Sequence, residues 1–516
     1  MASYLAFMGR PWNRWLRIAL WCVVVGFCTL RFFYLTADFP NDSLWMIDQA
    51  KFTDEGWWGN AAVMHALIGH WYVTGDYNPA VALPVWPALL SIVFHFTGVS
   101  LVAARALNVA ISISTLALVY FLVRRFTGRE GSAAGLLAVL LLSASPFAFV
   151  FSRLAILDTL VVFEFCAALL MASFASRKRV WPLLPVSLLI CTMMLTKTTA
   201  AMLLAAILWV TWSAMGRRLR DLLTAVMTVI VVPAAVLKGY ALLVGVMGFD
   251  ADYKYFFSVN AMPEIDWAHG FATLSDFFRN CFWIDRVLYP AALLVLIVAV
   301  TWRRRLWSNP LFSASWLAIG AQATFIFSRQ DDYAPRYFLV LLTPLIVTVV
   351  LAFDELVKPL RTKMGLWPAA ILLAAMAGSI VSNSVMMGQF LTHRDYDFRD
   401  AAAAIGTIVR SHPEQKALTL GVSGNQISLM TGIPSINDGF GTEEMAEKVA
   451  RYQPGWYLAW NDVAFASADY LTPFHLEKMA SFAVFDDEDR STLTLYKLVQ
   501  LAPEGALGKG DLQPVP

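Results

Sequence analysis

Residues 100–125, "SLVAARALNVAISISTLALVYFLVRR", form a long apolar segment that ends in two arginines. A helix needs about 20 apolar residues to cross a bilayer, and this segment is long enough. Similar runs recur between residues 15 and 388, with short basic clusters between them. In the whole chain 58% of the residues are hydrophobic and 15% are charged, against about 25% charged in soluble domains. The sequence therefore predicts a membrane protein with many spans.

The basic clusters predict the topology. Lysine and arginine accumulate in cytoplasmic loops, so an even number of crossings separates consecutive clusters. Three apolar runs lie between Arg17 and Arg124, and the middle one, residues 84–98, is short and contains two prolines. We therefore expect residues 84–98 to lie in the outer interface, within one large outer loop of residues 36–99. The eleven expected spans are residues 15–35, 100–123, 131–151, 154–174, 181–197, 198–214, 221–247, 284–302, 309–327, 335–353 and 366–387.

The long apolar runs end near residue 390, and the sequence pattern changes. The segment "RDAAAAIGTIVRSHPEQ" (residues 399–415) has the apolar stripe of a helix, whereas "KALTLGVS" (416–423) and "STLTLYKLV" (491–499) are typical of strands. We thus expect an α-helical polytopic membrane domain over residues 1–389 and a small α/β domain outside the membrane over residues 390–500. Residues 501–516 are rich in Gly and Pro and are predicted to be disordered.

The composition excludes several classes of function. The formal net charge is only +2, so no nucleic acid or other polyanionic partner is expected. The five cysteines show no spacing typical of metal or redox motifs. His65 and His70 lie five residues apart, whereas metal ligands on a helix favour a spacing of three or four. We expect no required cofactor, and the sequence indicates no metal site.

Cations gather at the outer ends of the predicted spans. Arg153, Lys197 and Arg336 occupy three separate hairpins, and Arg105 lies at another outer helix end. Each one alone could be a side chain that extends toward water or lipid headgroups. Together, three cations at one depth could hold a phosphate, which at a membrane surface implies a lipid phosphate. Asp158 lies one turn inside the fourth span, where ionisable groups usually face a cavity.

The segment "FTDEGWWG" (residues 52–59) places two acids in the outer loop. They could be solvated acids beside interfacial tryptophans, or one could be a general base for an acceptor hydroxyl. Asp54 and Glu55 point about 100° apart on a helix, so one would be catalytic and the other structural. We expect the base to be shielded from salt bridges, and Asp54 could also cap the following helix. Asp76 is either a turn acid or a second site carboxylate.

Four motifs in order resemble the C-type glycosyltransferases, most closely glycosyltransferase family 39. This family includes protein O-mannosyltransferases and bacterial lipid A aminoarabinose transferases. The resemblance extends over roughly residues 15–390. The chain lacks the acidic-lysine-proline-proline signature of the lipid A enzymes at "AVALPVWPAL" and the inserted lumenal domain of the eukaryotic mannosyltransferases. The motifs are "TDEGWWGNAA" (53–62), "SRLAILD" (152–158), "LTKTTA" (195–200) and "DDYAPRYFLVLLTPL" (331–345).

The resemblance implies roles for particular residues. The first acid of the family's pair is the general base, which corresponds to Asp54, and Glu55 corresponds to the neighbouring acid. Lys197 and Arg336 correspond to residues near the donor phosphate, and Tyr337 follows Arg336 in the "RY" motif. Arg153 and Asp158 correspond to the short loop between two spans.

The implied activity is transfer of a sugar from a polyprenyl-phosphate donor, with inversion, to a lipid, glycan or protein acceptor. We expect the chain in a bacterial inner membrane, among membrane lipids, with a cytoplasmic N-terminus and a periplasmic C-terminal domain. One alternative is a transporter or flippase of lipid-linked sugars. Internal repeats are typical of many transporters, and none is evident here. A second alternative is a non-catalytic assembly protein of the cell envelope.

Overall fold

A computed structural model describes residues 14–39, 49–127, 133–260, 285–301, 304–327, 335–357, 366–461, 469–486 and 490–501, with a few isolated positions between 268 and 275. The long apolar runs form helices, because a helix satisfies every backbone polar group inside its own segment. The helices before residue 393 are α1 (Arg14–Leu30), α2 (Asp54–Ile68), α3 (Val85–Thr97), α4 (Leu101–Thr127), α5 (Ala134–Ser143), α6 (Pro146–Ser152), α7 (Leu157–Ser173), α8 (Leu183–Thr196), α9 (Leu204–Met215), α10 (Leu219–Val226), α11 (Val232–Val246), α12 (Asp250–Val259), α13 (Leu288–Thr301), α14 (Pro310–Phe327), α15 (Leu339–Val357) and α16 (Leu366–Thr392).

Each expected span falls on one or more of these helices, whereas the number of eleven spans stays a prediction. In the described part of the chain, five helices are long and apolar enough to cross a membrane, or six if the bent pair α5–α6 is one span. Other apolar helices, such as α8 and α13, are shorter. Helix α10 continues through a π-helical turn at Met227–Val231 into α11, so the two form one span. The expectation of a multi-pass membrane protein is confirmed.

Helices α5 and α6 are joined by a break with a bend of 63°, as in a broken span or a re-entrant loop. Pro146 begins α6, where its missing N–H is tolerated, and the Ser145 side chain caps the new helix. The break leaves carbonyl groups of α5 without partners in the helix, and Arg31 donates to one of them at Ser143 over 3.0 Å. This arrangement fixes the direction of the segment that leads to Arg153.

The first large loop carries two helices, α2 and α3. Residues 84–98 form a helix as expected. Trp86 and Leu90 of α3 are buried, whereas Ile92 and Phe96 are exposed. A short helix with one apolar face buried against protein and another apolar face exposed fits a position in the membrane interface.

The C-terminal part is a small α/β domain, as predicted. Its helices are α17 (Asp397–Arg410), α18 (Gly424–Thr431) and α19 (Met445–Tyr452), and its strands are β1 (Thr419–Leu420), β2 (Ser435–Ile436), β3 (Trp456–Trp460), β4 (Phe474–Ala483) and β5 (Thr492–Gln500). The sheet order is β2-β1-β3-β5-β4, parallel between β2, β1 and β3 and antiparallel beyond. The expected strand at residues 416–423 is shorter than predicted, and residues 502–516 lie outside the described part.

The first loop and the C-terminal domain share hydrophobic cores. Phe52 is buried in a cluster with Phe398 of α17 and Trp456 of β3. Met64 of α2 is buried in a second cluster with Leu420 of β1. Burial of apolar surface is the main favourable term in association, so the domain packs on the loop as an integral part of the molecule.

Candidate functional site

The first turn of α2 presents both acids of the "TDEG" motif. Asp54 is 0% exposed and Glu55 is 1% exposed, so neither acid is a solvated loop residue. Helix α2 begins at Asp54 and the N-cap position is Thr53, so the expectation that Asp54 caps the helix is wrong. The two acids have different partners, which follows from their angular separation on a helix.

Asp54 belongs to a row of alternating charges. The Arg336 guanidinium lies 2.5 Å from the Asp54 carboxylate. Arg336 Nε also lies 4.0 Å from Asp158, and Lys197 Nζ contacts Asp158 at 2.7 Å. The structure thus brings together four residues from four separate segments, with two carboxylates and two cations. The expected shielding of Asp54 from salt bridges is not observed, because Arg336 contacts it directly.

Tyr337 lies beside both cations of this row. The Lys197 ammonium lies 4.6 Å from the centre of the Tyr337 ring, and the Arg336 guanidinium lies 5.5 Å from it. Cations near an aromatic face are attracted by the ring quadrupole. Lys197 occupies the break between α8 and the next helical turn, with an extended backbone (φ −159°) that ends α8. The position from which the Lys197 side chain extends is therefore set by the end of α8.

Glu55 is anchored away from the charged row. Its carboxylate accepts two hydrogen bonds from Arg105, at 2.8 and 2.6 Å, and one from the Ala155 N–H at 2.7 Å. Gln426 of the C-terminal domain donates a further one at 3.1 Å. Arg105 also donates to a first-loop carbonyl, that of Ala37. These contacts tie α2 to α4, to the loop before α7 and to the C-terminal domain.

Arg153 does not join the cations that contact Asp158. Its guanidinium donates to the carbonyls of Phe33 and Tyr34 at 2.5 and 2.7 Å. It also lies over the rings of Phe149 and Phe390. Within the described residues it makes no hydrogen bond or ring contact with the two phosphate-binding candidates. The structure therefore does not bring Arg153 into contact with Lys197 or Arg336: its Nη2 donates to both carbonyls at the end of α1, and its Nε and Nη1 are buried without a hydrogen-bond partner among the described residues.

Asp76 lies in the boundary between the first loop and the C-terminal domain. Its carboxylate contacts Lys448 of α19 at 3.2 Å, and both side chains are 0% exposed. It also accepts the Asn437 N–H at 3.1 Å. Burial raises the pKa of Asp76, and the Lys448 ammonium opposes this rise. Asp76 is thus neither a plain turn acid nor a neighbour of Asp54 in the charged row.

Asp38 provides a second link between the loop and the domain. Its carboxylate accepts the N–H of Phe398 at 2.9 Å and that of Arg399 at 3.2 Å, in the first turn of α17. It therefore caps α17 from another part of the chain. Burial raises the pKa of Asp38 to about 7, although these N–H groups and nearby arginines lower it.

The sequence analysis missed Gln426, Lys448 and Asp38 as parts of this assembly. Their partners lie more than 350 positions away, and no local pattern marks them. One signal was available. Gly56 occupies the first turn of a helix, where glycine is unfavourable, and this often marks a close approach of another backbone.

No cluster of three or more His, Cys, Asp or Glu that could hold a metal ion occurs among the described residues. Chemically, the row offers two buried carboxylates beside two cations. Such a set can bind an anion and accept a proton in neighbouring positions.

Comparison with known families agrees with this picture. Residues 79–238 match the family described as dolichyl-phosphate-mannose-protein mannosyltransferase. This segment is less than half of the chain and includes Asp158 and Lys197 but neither Asp54 nor Arg336. No curated protein sequence matches the chain.

Solved structures share the fold. ArnT from Cupriavidus metallidurans in the apo state is 13% identical, with a TM-score of 0.59 over 92% of this chain and 97% of that chain. The same protein bound to undecaprenyl phosphate gives 14% identity and a TM-score of 0.57, with the same coverage. The oligosaccharyltransferase of Archaeoglobus fulgidus in the apo form gives 11% and 0.52, over 90% and 71%. The resemblance to C-type glycosyltransferases of the family 39 kind, and the fold it implied, are confirmed.

Proposed function

We propose that the protein is a membrane glycosyltransferase that transfers a sugar from a polyprenyl-phosphate donor to an acceptor at the outer face of a bacterial inner membrane. The observation that carries the proposal is the contact between buried Asp54 and Arg336, which lies beside Asp158 and Lys197. The binding of undecaprenyl phosphate by ArnT, a protein of the same fold, supports the donor class.

In the proposed reaction Asp54 takes the proton from an acceptor hydroxyl or amine. The acceptor atom then attacks the anomeric carbon, and the bond between that carbon and the phosphate oxygen breaks. The bonding electrons leave with polyprenyl phosphate, and a single displacement inverts the anomeric configuration. Lys197 and Arg336 stabilise the charge that grows on the leaving phosphate.

The ion pair between Arg336 and Asp54 implies that the donor binds before Asp54 accepts the proton. A carboxylate held by a guanidinium stays ionised but is a weak base, because its charge is already stabilised. A donor phosphate would compete with Asp54 for Arg336. The phosphate would then draw the guanidinium away, and the carboxylate would become a stronger base when the donor is in place.

The test combines product formation with donor binding. Mass spectrometry of surface glycans and glycoproteins, with and without the gene, identifies the product. Its rate of formation is then followed in isolated membranes that contain the natural donor and acceptor. An Asp54→Asn variant should lose about 10²-fold to 10⁴-fold in rate, the usual effect of removing a general base.

Purified Asp54→Asn protein should still bind undecaprenyl phosphate at least as tightly as the unmodified protein, because the loss of one carboxylate charge frees Arg336 for the ligand. Full activity of this variant would refute the base assignment. A gene deletion that leaves every surface glycan and glycoprotein unchanged would refute the transferase itself.

A further inference from the structure

The first turn of α2 is capped by a residue of another domain. The first four N–H groups of a helix have no partner inside it, and a side chain at the N-cap usually satisfies one of them. Thr53 occupies the N-cap of α2 but makes no such bond. Instead, the N–H of Gly56 donates to the Gln426 side-chain oxygen at 2.7 Å. The Gln426 amide group donates in turn to Glu55 at 3.1 Å.

The backbone of α18 lies directly against this turn. A Cβ atom at Gly56 would lie 2.2 Å from the backbone nitrogen of Gln426 and 2.3 Å from the carbonyl carbon of Asn425. Any side chain at this position would force the two helices apart. The indole N–H of Trp57 adds a hydrogen bond of 3.1 Å to the carbonyl of Val422. The domain therefore contacts the turn that carries Asp54 by both backbone and side chains.

Gln426 is buried, and both of its side-chain groups are used. It is 1% exposed, so loss of either hydrogen bond would leave a polar group without compensation from water. Because Asp54 lies in the same helical turn as Gly56, rotation or fraying of this turn would move the carboxylate relative to Arg336.

We propose that Gln426 is a positioning residue for Asp54, through which the C-terminal domain holds the base-carrying turn of α2 in place. This inference rests on the proposed function. The domain is then required for the chemical step, whatever part it has in acceptor choice. A misplacement of about 1 Å can lower the rate of a reaction by about 10²-fold, which sets the scale of the expected effect.

The main test uses Gln426→Leu, with Gln415→Leu as the matched control. Gln415 also makes two side-chain hydrogen bonds, donating to the carbonyls of Gly455 and Leu498, but both partners lie inside the domain. Hydrogen exchange of the peptide that spans residues 52–60 should become faster in Gln426→Leu and stay unchanged in Gln415→Leu. Product formation in membranes should fall by about 10-fold to 10²-fold in the first variant only. The affinity for undecaprenyl phosphate should not fall in either variant.

A Gln426→Glu variant distinguishes loss of the positioning contact from nonspecific destabilisation of the protein. When the introduced carboxyl group is protonated, it accepts from Gly56 and donates to Glu55, as the glutamine amide does; when it is ionised, it repels Glu55. The rate of this variant relative to the unmodified protein should therefore rise as the pH falls, whereas that of Gln426→Leu should stay flat. A flat ratio for both variants would contradict the inference, as would equal exchange and equal rates for Gln426→Leu and Gln415→Leu. If the unmodified protein forms no product, the proposed function fails, and the exchange data still decide whether Gln426 caps α2.

Discussion

The buried pair Asp76–Lys448 offers the most direct test of how the C-terminal domain is held. Both side chains are 0% exposed and their charged atoms are 3.2 Å apart. The Lys448 ammonium also donates to the carbonyls of Asn437 and Phe440, at 2.6 and 2.8 Å. Lys448→Met removes the charge and all three contacts, and it leaves the Asp76 carboxylate buried without its cation.

Removal of one partner of a buried ion pair typically costs about 3 to 5 kcal/mol. We expect a cost near the lower end of this range, about 3 kcal/mol, because Asp76 keeps the hydrogen bond from the Asn437 N–H. Each 1.4 kcal/mol changes an equilibrium about tenfold, so the open population of the domain should rise by about 10²-fold or more. The double variant Asp76→Asn/Lys448→Met, which leaves no unpaired charge, should recover a large part of this loss.

The effect should depend on pH with a definite sign. Burial raises the pKa of Asp76, and loss of Lys448 raises it further, since Lys448 is the main opposing charge. An acid whose pKa is higher in the folded state destabilises that state when it ionises. The penalty of Lys448→Met should therefore be smallest below about pH 4, where the carboxyl is neutral in both states and only the hydrogen bonds to the two carbonyls are lost, and should grow as the pH rises.

The assay is the rate at which a dilute protease cleaves the C-terminal domain of the purified protein. This rate follows the open population when opening and closing are faster than cleavage. Lys497→Met is the control, because Lys497 pairs at 3.1 Å with Glu414 on the surface of the same domain, and surface pairs contribute little. Equal cleavage rates for Lys448→Met and Lys497→Met at about pH 8 would refute this account of the interface.

Two further predictions concern the site and the second interdomain link. Arg336→Lys should lower the rate of product formation in membranes by about 10²-fold to 10³-fold, because lysine cannot reach both Asp54 and Asp158 with a forked group; undiminished activity and undecaprenyl phosphate affinity would contradict this. Burial raises the pKa of Asp38 to about 7, so its contribution to stability should fall as the pH rises from about 4 to 7. Protection of residues 397–410 from hydrogen exchange, corrected for intrinsic rates, should follow this trend and become flat in Asp38→Asn.

Much of the membrane part could be predicted from the sequence. Hydropathy and the basic clusters locate the expected spans, because the cost of burying charge in lipid leaves few alternatives. The break between α5 and α6 is less visible, since a stretch that contains Ser145 and Pro146 remains apolar enough to count as one span. The strand expected at residues 416–423 is reduced to β1 because the chain turns directly after Leu420, where the Gly424 N–H donates to the Gly421 carbonyl at 2.9 Å.

The charged row was partly predictable for a related reason. Ionisable groups are rare near the membrane, so Asp54, Asp158, Lys197 and Arg336 stand out in the sequence. Arg153 stands out equally, yet its Nη2 donates to two backbone carbonyls, and only the course of the chain decides between these outcomes. Gln426 could not be found in this way, because glutamine is common in soluble domains and its role depends on a contact across 370 positions.

Two helices of this molecule are capped by side chains from distant parts of the chain: Asp38 caps α17, and Gln426 caps α2. The chain is synthesised from its N-terminus, and domains generally fold as they emerge. Here the first turn of α2, which carries Asp54, is completed only after Gln426 has been synthesised. A chain truncated before the C-terminal domain would thus have a first loop in which α2 lacks the Gln426 cap, so a defect near the C-terminus would change the structure near the N-terminus.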